Sequence, residues 1–352
     1  MTLFPDLRTD NSGVEPSLSH EENKEILKRS VLEWAETLSD RVELTKFSNE
    51  VRLNHIIVNY ASDATCSEDL QNRKRELFEQ GIELYFVYPW ELKNLPRLFS
   101  HFSSRLGLDE RTFAAKRLLL EKIPNKEADL FARQNHIQGS ASGSQKVSYG
   151  LRHKQTGELL AVQQYCKSRW MLKSVSENPG IWEGLRLVIK NNVQIHGAAT
   201  RLQKAFLSEF QPTEIMSYVD YSHSIGGYKV TQGFESSGTS QESYMWVLTK
   251  EPVSVTIIDK DGNPRVPDLD IARRTPYLNP NLLAGAFGRG CGQTFFGGKL
   301  GSRKQLLERG NELYHNDLIM EAIGYEKVFT AGQLRWSKKF DIEVSEETSE
   351  KG

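Results

Sequence analysis

The chain has 352 residues, enough for about two domains, and its 38% apolar, 10% aromatic and 26% charged composition excludes a collagen-like or wholly disordered polymer. The formal net charge of −1 hides an uneven distribution: residues 1–50 hold 11 acids against 6 bases, residues 341–352 hold 5 against one, and 51–340 are left with +8. No apolar run is long enough for a membrane span, the acidic first residues do not read as a signal peptide, and three scattered cysteines (Cys66, Cys166, Cys291) argue against a disulfide framework, so a cytoplasmic protein with no membrane partner is expected.

Residues 1–20, rich in Ser, Asp, Asn, Pro and Gly, read as a flexible tail. Glu21 to Leu38 spaces Ile26, Val31, Leu32, Trp34 and Leu38 as a helix does. His55 to Tyr60 is a β-branched strand, Glu68 to Gln80 a charged amphipathic helix ended by Gly81, and Ile82 to Tyr88 a buried strand. Together they predict a small α/β unit over 21–110.

A second unit is expected over 111–252. Lys116 to Ile123 reads as a strand, followed by a helix with Asn125 as N-cap that closes near Asn135 and His136. Ser148 to His153 and Leu159 to Lys167 predict a hairpin, Trp182 to Ile189 a strand, and Ala198 to Phe210 a helix with Leu202, Ala205, Phe206 and Phe210 on one face. Strands follow at Glu214 to Val219 and Tyr244 to Thr249. Residues 253–340 read as a basic extension, with six glycines in the sixteen residues 286–301 and a short helix at Asp317 to Ile323, and 341–352 as an acidic tail.

Chemistry is most legible at 191–200, where a strand runs into Gln194-Ile195-His196-Gly197-Ala198-Ala199-Thr200 and a helix follows at once. In the pattern Gln-x-x-Gly-x-Ala, small residues let an anion approach the backbone, and a helix start supplies free N–H groups and a positive dipole end. The same pattern also suits plain strand-to-helix packing. Asp220 ends a strand, where it could handle a proton or cap the next segment near Ser224. Glu183 and Arg186 stand three apart in an apolar strand, which predicts opposite faces and at least one charge in a cleft. Lys167, Ser168 and Arg169 suit phosphate contact, Asn135 and His136 a substrate rim, and Arg289, Lys299 and Arg303 a nucleic-acid backbone, with Phe295 and Phe296 placed to stack on a base. No histidine spacing suggests a metal.

The hairpin at 148–167, the loop Gln194 to Thr200, and Tyr228 followed by Gly233-Phe234 resemble, in that order, the late part of the GNAT (Gcn5-related N-acetyltransferase) pattern over about 112–250. That resemblance implies a GNAT-like mixed sheet flanked by helices, acetyl-CoA or another acyl-CoA with its pyrophosphate on Gln194 to Thr200, and Tyr228 as the acid that protonates the leaving thiolate. Asn135 to Gly139, Tyr149-Gly150, Lys167 to Trp170, Glu183 to Arg186, His196 to Arg201, Ser217 to Asp220 and Gly324 to Trp336 further resemble a phage domain found at the C-terminal end of homing-endonuclease-like proteins. That domain is similar in kind to the Mom proteins, which modify the N6 amine of adenine in DNA. It implies acyl-type transfer to a base amine, with Tyr228, Asp220, Glu183 and Ser224 near the chemistry and DNA as partner. Two arginines and a Trp usual in that domain after the aspartate are replaced here by Tyr221, Ser222 and His223. Residues 72–92 resemble the last helix and strand of a Vsr-like, restriction-endonuclease-type fold, degenerate because the strand at His55 carries no carboxylate for a metal. The alternatives are a non-catalytic DNA-binding module and a small-molecule or protein N-acetyltransferase.

Overall fold

The computed structural model describes residues 18–61, 64–141, 146–167, 180–239, 243–279, 296, 300–301, 303–310 and 316–340. In chain order its elements are α1 (His20–Glu36), β1 (Leu44–Lys46), β2 (Glu50–Leu53), β3 (Ile56–Asn59), α2 (Ser67–Glu79), β4 (Glu83–Phe86), α3 (Leu95–Arg105), β5 (Arg111–Ala114), β6 (Leu119–Lys122), α4 (Asn125–Asn135), β7 (Val147–Arg152), β8 (Leu159–Lys167), β9 (Ile181–Ile189) and β10 (Val193–His196). There follow α5 (Ala198–Phe210), β11 (Glu214–Asp220), α6 (Gly227–Thr231), β12 (Glu235–Thr239), β13 (Ser243–Leu248), β14 (Ile257–Ile258), β15 (Pro264–Arg265), α7 (Leu269–Arg274), β16 (Tyr277–Leu278), α8 (Arg303–Glu308), α9 (Asn316–Ile323), β17 (Tyr325–Thr330) and β18 (Gln333–Lys339). The chain is mixed α/β, and no described helix is long and apolar enough to cross a membrane.

Two compact units result, and they are nested rather than consecutive. One joins Asn94–Ser240 to the closing strand β18; the other joins Arg8–Lys93 to Gln241–Gly332. The expected linear division at 110 and 252 differs from this arrangement. Hydrogen bonds supply the reason. Ser67 Oγ donates to Ser243 O (2.9 Å) and accepts from its N–H (2.8 Å), while the buried Gln71 amide donates to Ala331 O (3.0 Å), tying α2 to the β13 and β17 segments.

In that second unit, α1 begins at Ser19, whose side chain accepts from Glu22 N–H while the Glu22 carboxylate accepts from Ser19 N–H, a reciprocal cap. Leu27, Val31 and Ala35, four apart, are fully buried. Much of the acidic N-terminal segment is therefore part of a packed helix and sheet, not a solvating end. Strands β1 to β4 form a sheet in that order, antiparallel until β3 and β4 run parallel across the α2 crossover. Trp246, Leu278, Phe296, Leu306, Met320 and Tyr325 belong to one core cluster. Phe296 is thus a core residue with 3% exposure, not a platform for a base. Phe295 lies outside the described residues, as do Ser168, Arg169, Arg289 and Lys299; Arg303 opens α8, with its side chain outside them.

The first unit is built on a seven-stranded sheet in the order β12-β18-β11-β9-β8-β7-β6. Its pairings are antiparallel except β9 with β11. Helix α4 covers one face through Ala128, Phe131 and Ala132 against Val162 and Val188. Helix α5 covers the other: Phe206 stacks on Tyr165 with ring centroids 3.9 Å apart and meets Trp182 edge-on at 5.1 Å. The expected strand Lys116 to Ile123 is shorter, because Ala115–Arg117 form a single 3-10 turn between β5 and β6. Asn125 is not the N-cap of α4: Pro124 holds that position, and the Asn125 side chain instead donates to Lys146 O (2.9 Å) and accepts from Ser148 Oγ (2.8 Å).

One buried carboxylate fixes the β14–β15 hairpin. Asp259 accepts from the backbone N–H groups of Asp261 and Asn263 (both 2.9 Å) and from Arg265 Nε (2.8 Å). Solvent does not touch it, although the hairpin itself is a thin surface element. The Asn263 N–H bond, foremost, and the Arg265 and Asp261 bonds outweigh desolvation and hold its carboxyl at about 2. A carboxyl depressed in the folded state contributes stability above its unfolded value near 4, lost as pH falls through about 2. Asp259→Asn should lower the thermal midpoint at pH 6, and the gap from the parent should close as pH falls toward 2; an equal gap at both pH values would contradict this.

Candidate active site

The site depends on a register slip. Along β8 and β9, Val162 faces Val188 and Gln164 faces Arg186, but Tyr165 faces Gly184, so Leu185 is an extra residue in a bulge. The slip overturns one expectation. Side chains of Glu183 and Arg186, three apart, would point oppositely in a regular strand; with Leu185 bulged they share the α4 face, opposite Cys166 and Gln164.

The parallel pairing ends at the same place. β9 and β11 are in register only from Ile181/Glu214 to Gly184/Ser217. Beyond that point the strands part, and a cavity of about 650 Å³ passes between them, lined by residues 184–189 and 217–220. The first turn of α5 lines it on one side, and Arg186, His136 and Gln138 line it on the other. The opening therefore joins the two faces of the sheet.

On the α5 side lie Gln194, Ile195, His196, Gly197, Ala198, Ala199 and Thr200. β10 pairs in parallel with β5, which places His196 at its end, and Gly197 turns the chain with φ +79° into α5. That left-handed angle suits glycine. The first helical bond runs from Arg201 N–H to Gly197 O, so the amides of Ala198, Ala199 and Thr200 precede the helical ladder.

On the other side Asp220 is the centre of a polar cluster. One carboxylate oxygen accepts from Gln138 Nε2 (2.8 Å), the other from Ser222 N–H (3.0 Å), and His223 Nδ1 stands 3.4 Å from the first, an ionic contact rather than a formed hydrogen bond. Burial pushes the Asp220 carboxyl up, but the His223 charge, the Ser222 N–H and the Gln138 amide more than offset it and hold the group at about 2. His136 accepts at Nδ1 from Gln138 N–H (3.1 Å), and burial followed by the nearby charge of Arg186 holds it well below its ordinary range, hence neutral at pH 7. Helix α3 anchors both ends of the cluster: Arg97 Nη1 donates to His136 O (2.9 Å), and His101 Nε2 stands 3.2 Å from His223 O.

Arg186 gives two bonds to carbonyls, Nε to Gly139 (3.3 Å) and Nη1 to Leu185 (2.9 Å). Desolvation lowers it, while the charges of Glu183 and Asp220 act in the opposite direction. Burial pushes the Tyr228 phenol up, so it keeps its proton and serves as a donor. Ser224 accepts from Gly226 N–H at 3.1 Å and shapes the turn before Tyr228.

Of the residues expected from sequence, Asn135, His136, Arg186, Gln194 to Thr200, Asp220, Ser224 and Tyr228 line this one cavity. Lys167 instead packs over the Trp182 ring at 4.5 Å, and neither it nor Glu183 is in the lining. Asn135 accepts from Asn191 N–H (3.1 Å) and so ties α4 to the β9–β10 turn. Sequence reasoning missed Gln138, His223, Lys229, Arg97 and His101; only the last two carried a signal, their i, i+4 spacing on α3.

Charge follows the units. Residues 94–240 and 333–340 sum to +10; with 1–7 and 341–352, which belong to the same unit, the total is +5, against −6 for 8–93 and 241–332. The expected basic extension is basic chiefly through β18, whose Arg335, Lys338 and Lys339 belong to the cavity's unit.

A test of the turn that carries Tyr228 follows from Gly226, which has φ +73° and lies against Trp336: an added Cβ would stand 2.8 Å from the indole. Gly226→Ala should cost about 1–3 kcal/mol, from overpacking and left-handed strain together, read as a lower first thermal transition; an unchanged transition would show that the turn yields freely. Comparisons of the chain with protein-family profiles and with curated proteins find no match.

Proposed function

We propose that the unit holding the cavity is a GNAT-like transferase that moves an acyl-type group from an acyl-CoA donor to an amine of a nucleobase in DNA. The observation that carries this reading is the gap between β9 and β11, which opens onto the Gly197 turn on one face and the Asp220–Gln138–His136 cluster on the other. A donor whose phosphates rest on the amides of Ala198 to Thr200 would extend its thioester through the gap. The acceptor amine would approach from the opposite face.

In this reading Asp220 accepts a hydrogen bond from the amine and orients it; a carboxyl held at about 2 is too weak a base to carry the proton away. Tyr228, protonated and in the cavity wall, donates to the departing thiolate. Glu183 and Arg186 set the local field. The net charge of this unit, +5 in all and +10 over 94–240 and 333–340, supports a polyanionic partner, and a duplex base would need to be flipped out or presented on a single strand. The other unit fits a degenerate nuclease-like fold in this proposal: β3 ends in Asn59, Glu50 is paired with Arg73 at 2.6 Å, and no group of three potential metal ligands occurs among the described residues.

Calorimetry with acetyl-CoA should show binding that disappears in Gly197→Glu, because a carboxylate there repels phosphates and strains the left-handed turn. Mass spectrometry of nucleosides from cells expressing the protein should show a mass-shifted base that is lost in Asp220→Ala and reduced about 10²–10⁴-fold in Tyr228→Phe. An unaltered nucleoside profile with folded protein and bound donor would leave the fold reading and remove DNA as the acceptor.

A further inference from the structure

Lys229 is a buried cavity-lining residue that the site chemistry above leaves unused. It follows Tyr228 on α6 and lines the same cavity, yet it is only 4% exposed. Among the described residues its amine has no hydrogen-bond acceptor and no carboxylate within ion-pair range. Its neighbours are two aromatic faces, Tyr228 at 5.0 Å and Phe234 at 4.5 Å from Nζ to ring centroid. Cation–π attraction to the two rings offsets only part of the desolvation of a nearly buried ammonium that has no carboxylate beside it. The group is therefore poised to exist as a free amine, and desolvation alone lowers it to about 7.

From this placement we infer that Lys229 is an internal acyl acceptor: a thioester bound in the cavity beside Tyr228 acylates it. The inference rests on the reading of the cavity as a thioester site. In the step, the Lys229 nitrogen attacks the thioester carbonyl, a C–N bond forms and the C–S bond breaks. The sulfur leaves with the bonding pair, and the proton shed by nitrogen ends on the departing thiolate, giving a free thiol and an Nε-acyl-lysine. No oxidant or further reactant is needed. The product is favoured by the same burial that disfavours the reactant, since acylation removes the charge and leaves a neutral amide between two rings. Once formed, the amide would occupy the wall beside Tyr228 and slow later turnovers, so the modification is self-limiting.

Incubation of the full chain with acetyl-CoA, followed by intact mass and peptide mapping, tests this. The expected result is a single acetyl group at Lys229, added on the order of tenfold or more faster than at exposed lysines such as Lys250, and absent in Lys229→Arg. A parallel incubation uses S-acetyl-N-acetylcysteamine, a thioester without the nucleotide, beside calorimetry with acetyl-CoA. Binding of acetyl-CoA with Lys229 labelled no faster than Lys250 overturns the inference and leaves the coenzyme reading standing. Selective labelling of Lys229 by the small thioester without acetyl-CoA binding upholds the acceptor and removes the coenzyme. Failure of both donors to label Lys229 overturns the inference.

Discussion

One extra residue in one strand decides the shape of the site. The bulge at Leu185 falls where the pairing of β9 with β11 stops, at Gly184 and Ser217, and the cavity is lined by the residues beyond that point. The bulge leaves backbone carbonyls without strand partners, and side chains take them up: Ser217 Oγ donates to Gly184 O at 2.9 Å, and Arg186 Nη1 donates to Leu185 O at 2.9 Å. Arg186 thus takes up the carbonyl of the residue that the bulge displaces. The two flanking helices then divide the work by face, with α5 presenting a helix start and α4 leading into the loop that carries His136 and Gln138.

The buried charges in this gap are not equivalent. Asp220 has enough donors around it to remain ionised, so it orients but does not readily accept a proton. His136, desolvated beside Arg186, remains neutral. Arg186 is satisfied by carbonyls rather than by a carboxylate, which keeps a positive field in the cleft. Such a set is suited to holding reactants and to supplying a proton from Tyr228, more than to abstracting one. In the proposed transfer, that suits an acceptor amine which arrives neutral, as an exocyclic base amine does, better than an alkylammonium that must first be deprotonated.

The elements of the cavity's unit were largely legible because their signals are local. The Ser148 to Lys167 hairpin carries its turn residues, and the helix after Gly197 carries its apolar face. The bulge was not, since the alternation in Trp182 to Ile189 reads equally well with or without Leu185 inserted, and only cross-strand partners reveal the slip. Asn125 looked like a cap because Asn so often is one; here Lys146 and Ser148, more than twenty residues away, claim its side chain. Phe296 looked exposed because it sits among glycines, a composition that says nothing about which aromatic a distant core will bury. Gln138 and His223 stand in the sequence only inside stretches compared with the phage domain, with no sign of their role, which is to contact Asp220.

Charge shows the same dependence on tertiary pairing. Summed along the chain, the acids lie at the ends and the bases in the middle, which points to a basic body with solvating tails. Summed over the compact units, the bases gather in the one with the split sheet, because β18 returns its three cations there, while the acids of 8–93 belong to the other. The polyanion of the proposed reading would then be drawn to the unit that also holds the Gly197 turn and the Asp220 cluster, and the attraction should weaken steeply with salt. If recognition were instead spread along 51–340, as the linear sum implies, the unit of 8–93 and 241–332 would have to hold the polyanion against its own −6. The nested chain path makes that the less favourable arrangement, and the proposed nucleic-acid contact then belongs with the cavity's unit.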